Sequence, residues 1–217
     1  MSNELVLREN RDAVLTLTMN RPERKNAFNN PLYKAFAAAL QDAQKDDDVH
    51  VVVVTGTAGS FSAGQDFSEM NAAPTGDSGP HGFQVLMDTL CSFDKPLIAA
   101  VNGVAVGIGM TMLLHCDVVY LAESVRMRCP FVTLGVVPEA ASSYLLPLII
   151  GFQRAAEVLY TAQWIDAPRA LVDRRAFHVA CLDHPSGLLD ESRVVVRASH
   201  GASRTHVVGP GFVGRDH

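Results

Sequence analysis

Two stretches of the chain put glycine where the backbone itself could do chemistry. In Val51-Val-Val-Val-Thr-Gly-Thr-Ala-Gly-Ser-Phe-Ser-Ala-Gly-Gln-Asp66 and in Val101-Asn-Gly-Val-Ala-Val-Gly-Ile-Gly109, an apolar run that reads as a buried strand passes into a glycine-rich turn. Glycine adopts positive φ and lets a ligand come close to the main chain. Ile108 to His115, after Gly107, reads as a helix whose first amides have no partner inside the helix. Two such turns can aim two N–H groups at one oxygen, the equipment of an oxyanion hole. Donors fixed in advance stabilise charge that develops only in the transition state, by roughly 3 to 4 kcal/mol per donor. Either turn alone is ordinary scaffold of an α/β domain; the pairing and the order carry the signal.

The elements that must hold these turns follow from periodicity. Glu4 to Glu9 and Ala13 to Met19 read as two strands of a hairpin about Asn10-Arg-Asp12, because Leu15, Leu17 and Met19 alternate with threonines. Asn30 caps and Pro31 opens a helix with Leu32, Phe36 and Leu40 on one face, ending near Lys45. Strand His50 to Thr55, a polar loop from Asn71 to Gly82, helix Phe83 to Ser92, strand Leu97 to Val101, helix Ile108 to His115 and strand Asp117 to Ala122 follow. Strands that alternate with helices and are apolar throughout indicate an α/β domain whose mostly parallel sheet is covered on both faces.

Composition narrows the class of function. A chain of 217 residues with 48% apolar content fits one globular domain with a sizeable core. A net charge of -5 and the lack of a Lys/Arg cluster before residue 165 argue against nucleic acid and against a membrane surface. The amino terminus lacks a signal peptide's basic start and apolar run, and no segment reaches the roughly 20 apolar residues of a membrane span, which points to the cytoplasm. Cys91, Cys116, Cys129 and Cys181 show no Cys-x-x-Cys spacing, so the expectation is reduced thiols and no metal site.

Five motifs occur in one order: Asn20-Arg-Pro with Asn26-Ala27, Phe61-Ser-Ala-Gly-Gln-Asp66, Lys95-Pro96 with Ala99-Ala-Val-Asn-Gly103, Gly107-Ile-Gly109, and Cys116-Asp117. In these, residues 5 to 170 resemble the crotonase, or enoyl-CoA hydratase/isomerase, superfamily. The resemblance implies a spiral of ββα repeats with mostly parallel sheets, a coenzyme A thioester as substrate with no separate cofactor, and assembly into a trimer or hexamer. It also implies that the thioester oxygen sits between the N–H groups of Gln65 and Ile108.

The same resemblance frames the search for a base. Hydratases of the family carry two glutamates that position a water; the matching positions here are Thr111 and Phe131, and neither exchanges a proton with water, while Phe131 would dry the pocket. Glu139, within Leu134-Gly-Val-Val-Pro-Glu-Ala-Ala-Ser-Ser-Tyr-Leu-Leu-Pro147, instead resembles the single glutamate of the Δ3,Δ2-enoyl-CoA isomerase branch. One carboxylate suits removal of a proton from C2 and its return at C4, an isomerisation belonging to fatty-acid metabolism and β-oxidation. Burial in an apolar setting would tune its pKa toward neutrality. The plainer reading of Glu139 is a carboxylate offsetting the free amides of Ala140 to Ser143 at a helix start. Hydratase activity, or a non-catalytic acyl-CoA-binding remnant, are the alternatives.

Other residues carry two readings each. Arg24 and Lys25 stand where relatives direct basic side chains at the coenzyme A phosphates, or else on a solvated loop. The resemblance implies that Ala27 and the strand ends around Ala63 supply main-chain contacts to the pantetheine and adenine, with Gly64, Gly107 and Gly109 also among the substrate-binding positions. Asp66 borders the site but reads as the cap of a short helix, Phe67 to Met70. Asn26 and Asn102 read as turn residues, Ser142 and Ser143 as helix-start polar groups, and His115 as a satisfied core histidine. Met70, Met87, Met110 and Met112 suit an adaptable acyl pocket or plain core.

From Pro168 onward the pattern breaks. This segment holds seven of the 14 arginines, five of the eight histidines and no lysine, with little apolar periodicity apart from Val194 to Val196. The division expected is a core over residues 1–167 and an atypical tail over 168–217, arising from a reading-frame change in a GC-rich gene or from a natural, poorly ordered extension. A zinc site from His178, Cys181 and His184 matches no familiar spacing. Relatives cover the acyl pocket and build the trimer contact with C-terminal helices at this point. The chain is therefore expected to expose apolar surface, to be less stable than its relatives and to turn over weakly.

Overall fold

The computed structural model describes residues 4–70 and 80–172, with the strand backbones at 181–182, 194–197 and 205–208. In chain order the strands and α-helices are β1 (Val6–Arg11), β2 (Val14–Met19), α1 (Asn30–Lys45), β3 (Val51–Gly56), β4 (Ser60–Ser62), α2 (Phe67–Met70), α3 (Gly82–Ser92), β5 (Leu97–Val101), β6 (Val104–Val106), α4 (Ile108–Thr111), β7 (Val118–Ala122), β8 (Arg126–Arg128), α5 (Phe131–Leu134), α6 (Ser142–Ile150), α7 (Phe152–Thr161), β9 (Ile165–Asp166), α8 (Ala167–Val172), β10 (Cys181–Leu182), β11 (Val194–Arg197) and β12 (Thr205–Val208). A large sheet runs β1-β2-β3-β5-β7-β10, a small one β4-β6-β8-β9, and β11 pairs with β12.

The sheets share a logic. Each of β3, β5 and β7 in the large sheet leads into a short strand, β4, β6 or β8, in the small one, and the order across both sheets is the same. All the pairings among these six strands are parallel, as in Val52 to Leu97 and Ile98 to Val118, or Ser60 to Val104 and Ala105 to Met127. The chain thus advances as a spiral of ββα repeats. Side chains alternate across the large sheet: Val52, Val54, Leu97, Ala99, Val101, Val119 and Leu121 join the main core with α1, and Val53, Ile98, Ala100, Val118 and Tyr120 form a second buried cluster on the opposite face. Apolar residues at every position are what burial on both faces requires.

Several local expectations are corrected. The hairpin turns at Asp12 and Ala13, not at Asn10-Arg-Asp12; both residues have φ above 50°, the two-residue loop whose twist suits a hairpin, and Arg11 pairs with Val14. The cap of α1 is Asn29, whose side chain accepts the Leu32 N–H at 3.0 Å, one residue before the expected Asn30. Ile108 to His115 is not one helix: α4 ends at Thr111 and a 3-10 turn covers Met112–His115. Most of the Asn71 to Gly82 loop, together with His178 and His184, lies outside the described residues. Within the described residues no helix is long and apolar enough to cross a membrane.

Candidate active site

Because β4 and β6 are parallel neighbours, the turns that leave them are neighbours too. Gly64 has φ +93° and Gly107 φ +52°. A Cβ on Gly64 would stand 2.7 Å from the Val106 carbonyl oxygen and 3.8 Å from Gly107 Cα, so the two turns meet backbone against backbone. A Cβ on Gly109 would lie 2.6 Å from the Ser62 carbonyl oxygen and would lift α4 off β4. Glycine at these positions is what lets the second turn close on the first.

Hydrogen bonding then isolates particular amides. Around Gln65, the Gly64 N–H donates to Ser62 Oγ (3.2 Å), the Asp66 N–H to the Phe28 carbonyl (2.8 Å), and the Gly64 carbonyl accepts from Phe28 N–H (2.7 Å). The Gln65 N–H between them has no acceptor among the described residues. Its side chain is tethered by Tyr33, whose hydroxyl donates to Gln65 Oε1 at 2.8 Å while its ring stacks on Phe28. Ile108 opens α4, so its N–H has no acceptor within that helix. The Gly107 N–H is held by the Arg128 carbonyl at 3.0 Å, and the Gly107 carbonyl takes the Met110 and Thr111 amides.

Glu139 does not serve as the helix-start carboxylate. Two residues with left-handed backbone, Ala140 (φ 50°) and Ala141 (φ 53°), separate it from α6, and Ser142 directs both its N–H (2.9 Å) and its hydroxyl (2.6 Å) onto the Glu139 main-chain carbonyl. Left-handed alanines cost roughly 1–2 kcal/mol each, so tertiary packing imposes this bend. The carboxylate turns to α4 instead: Thr111 Oγ donates to Glu139 Oε1 at 2.7 Å. The same hydroxyl lies 3.2 Å from the Gly107 carbonyl oxygen, so one side chain links the acid to the peptide group that carries the Ile108 N–H. Glu139 Oε2 is buried without a hydrogen-bond partner among the described residues. Burial pushes the Glu139 pKa up to about 7, against the lowering effect of the Thr111 hydrogen bond. At neutral pH the group is divided between its two protonation states, the condition for a general base.

The loop from Arg21 to Phe28 lies along the first turn. The Lys25 carbonyl accepts the Ala63 N–H at 2.9 Å, and Arg24 and Lys25 are solvent-exposed beside it. Ala27 is buried, with its N–H on the Arg24 carbonyl and its own carbonyl accepting from Arg21 Nη1 at 2.9 Å. Arg21, passed over in the sequence, also grips Asp66 Oδ2 at 2.6 Å. Asp66 Oδ1 accepts the Ser68 N–H and hydroxyl; Ser68 and Arg21 hold the buried carboxyl down at about 2. Asp66 is thus committed to capping α2 and pinning the loop. Buried Asn26 bonds the Ser60 and Thr57 carbonyls and the Arg21 N–H, the Asn102 amide donates to the Gly56 carbonyl, and His115 Nε2 lies 3.0 Å from the Ala140 carbonyl oxygen, all structural contacts.

Phe131, Met110 and Met112 are buried in the main core, and Met87 packs at its edge; the side chain of Met70 lies outside the described residues. The Thr111 hydroxyl contact with Glu139 is one that the sequence did not reveal. The spacing of four from Gly107 to Thr111 was the available signal, because a helical threonine can reach the carbonyl one turn back. Among the described residues no group of three or more His, Cys, Asp or Glu side chains could hold a metal ion.

Comparison with known proteins follows the same outline. The family model described as enoyl-CoA hydratase/isomerase matches residues 9–172. The chain is similar to the 2,3-dehydroadipyl-CoA hydratase of Escherichia coli (strain K12), at 40% identity over 174 residues that cover 78% of this chain and 66% of that protein. It is also similar to enoyl-CoA delta isomerase 2 of Rattus norvegicus, at 36% identity over 162 residues that cover 72% of this chain and 41% of that one. The chain therefore spans less than two thirds of the length of either. Among solved structures, an enoyl-CoA hydratase from Mycobacterium marinum superposes with a TM-score of 0.75 at 45% identity, covering 82% of this chain and 84% of that one.

Proposed function

The chain belongs to the enoyl-CoA hydratase/isomerase family, and from that premise we propose that it moves the double bond of a 3-enoyl-coenzyme A thioester to position 2. Glu139 Oε2 takes a proton from C2. The electrons of that C–H bond form the C1–C2 double bond, and negative charge gathers on the thioester oxygen, where the amides of Gln65 and Ile108 receive it. When Glu139 returns the proton to C4, the C3–C4 π electrons form the new C4–H bond, the C1–C2 π electrons move to C2–C3, and the oxyanion's lone pair restores the carbonyl. Water and cofactor take no part, and the product is an isomer of the substrate. Arg24 and Lys25, exposed beside the first turn, would meet the coenzyme A phosphates.

The observation that carries this reading is the Thr111 hydroxyl link between Glu139 and Gly107, which brings a half-buried acid of near-neutral pKa to the peptide bearing the Ile108 amide. The relatives include both isomerases and hydratases, so their names do not choose between the reactions. The side chains favour isomerisation: position 111 is threonine and position 131 a buried phenylalanine, leaving one acid where hydration by the usual pair needs two.

Incubation with a six-carbon 3-enoyl-CoA tests the proposal through the absorbance of the conjugated thioester. Wild type should form it, and Glu139→Gln should be slower by at least about 100-fold while still binding the ligand. Faster hydration of a 2-enoyl-CoA than isomerisation of the 3-enoyl-CoA would overturn the reading in favour of a hydratase, and binding without turnover in favour of a non-catalytic acyl-CoA binder.

A further inference from the structure

We infer that Thr111 is a positioning residue coupling the base to the oxyanion amide: its one hydroxyl proton bonds Glu139 while the carboxylate is charged and turns toward the Gly107 carbonyl when Glu139 takes up the substrate's proton. The inference rests on the isomerase reading for its timing, and on two distances for its geometry. Thr111 Oγ lies 2.7 Å from Glu139 Oε1 and 3.2 Å from the Gly107 carbonyl oxygen. A hydroxyl has a single hydrogen to give, so the two acceptors compete for it.

Charge decides the competition. An ionised carboxylate accepts a hydrogen bond about twice as strong as a neutral acceptor does, so Glu139 holds the proton in the resting base. When the C–H bond at C2 breaks and its proton lands on Oε2, the negative charge leaves Oε1, and that atom becomes an ordinary neutral acceptor. The hydroxyl is then free to favour Gly107. The Gly107 carbonyl and the Ile108 N–H are two ends of one peptide group, and donation to the carbonyl polarises that group and strengthens the N–H as a donor. The Ile108 amide thus gains strength at the moment the thioester oxygen becomes an oxyanion. The electrons removed from C2 and the proton delivered to Glu139 are sensed together through one side chain.

The surroundings keep the exchange private. Thr111 is 1% exposed, so its hydroxyl is shielded from bulk water. Of the titratable groups nearby, Cys129 feels the Glu139 charge, and His115 lies on the carbonyl of Ala140, one residue along the chain. Burial, and then the Glu139 charge, push the Cys129 thiol up to about 12, so it stays protonated throughout.

Selective 15N labelling of isoleucine in the full chain, with the Ile108 amide resonance followed against pH, tests the coupling. In parallel, the carboxyl stretch of Glu139, identified by its loss in Glu139→Gln, reports the acid by infrared spectroscopy. In wild type the Ile108 resonance should move with the midpoint of Glu139. In Thr111→Val it should stop following, and the Glu139 midpoint should rise by about one pH unit, since a hydrogen bond to the charged form is lost. Thr111→Ser should restore both. In turnover, Thr111→Val should lower kcat by about 10-fold with KM unchanged, and the acid limb of its pH profile should move alkaline.

An Ile108 resonance indifferent to pH in wild type, or one still tracking Glu139 in Thr111→Val, overturns the coupling. Should the valine variant not fold, the wild-type titration and the serine variant still decide. Because the two spectroscopic readouts need no turnover, failure of the isomerase assay would remove the proposed reaction without altering them. An active isomerase with an indifferent Ile108 amide would remove the coupling alone.

Discussion

A carboxylate that works as a base near neutral pH must be shielded from water without being locked to a cation, and that arrangement costs stability. Glu139 has a folded pKa near 7 against an ordinary value of 4.5, so the native state binds a proton more tightly than the unfolded chain. Stability is therefore full below about pH 4.5 and declines as pH rises through 7, by on the order of 3 kcal/mol once Glu139 is ionised. Glu139→Gln keeps an acceptor for Thr111 and removes the charge. It should melt several degrees above wild type at pH 8, with the advantage gone at pH 4.5; equal melting points at pH 8 would contradict the burial argument. Glu139 itself was legible as a lone acid in an apolar stretch. Its hydrogen-bond partner, 28 residues earlier, was not, because a threonine in a short apolar helix carries no mark of what faces it.

Elements bring the turns together, and the contact is between main chains. The ideal Cβ position on Gly64 is 2.7 Å from the Val106 carbonyl and its φ is +93°, so Gly64→Ala meets both a clash and a strained backbone. The substitution should force the first turn away from Gly107, separating the Gln65 and Ile108 amides. The expected result is a fall in kcat of about 100-fold or more, with a destabilisation of roughly 1–3 kcal/mol read from urea unfolding. Near-normal turnover would show that the two turns do not act as a pair. The long strands and α1 were legible from alternation and helical spacing. The three-residue strands β4, β6 and β8 were not, since so few residues show no period, and yet their parallel pairing is what sets one turn beside the other. The role of Arg21 was equally hidden, because its partner Asp66 lies 45 residues away and only the fold joins them.

At the scale of the whole molecule, α5, α6, α7 and the segments joining them leave large apolar side chains in solvent, including Val137 (81%), Phe152 (73%), Tyr160 (71%), Tyr144 (67%) and Leu148 (66%). The composition changes at Pro168, and the family model matches residues 9–172. Exposed apolar area of this extent predicts that the purified chain brightens a hydrophobic dye and elutes from size exclusion as more than a monomer. A monodisperse monomer that leaves the dye dark would contradict this. Sequencing the gene across codons 165 to 175 separates a frame change from a natural extension. The most direct measurement of the central claim, one acid and two amides acting on a thioester, is deuterium uptake from D2O into C2 of an acyl-CoA, followed by mass spectrometry. Wild type should exchange that position and Glu139→Gln should not. Exchange that persists in Glu139→Gln, or a wild type that never exchanges while binding the thioester, would contradict it.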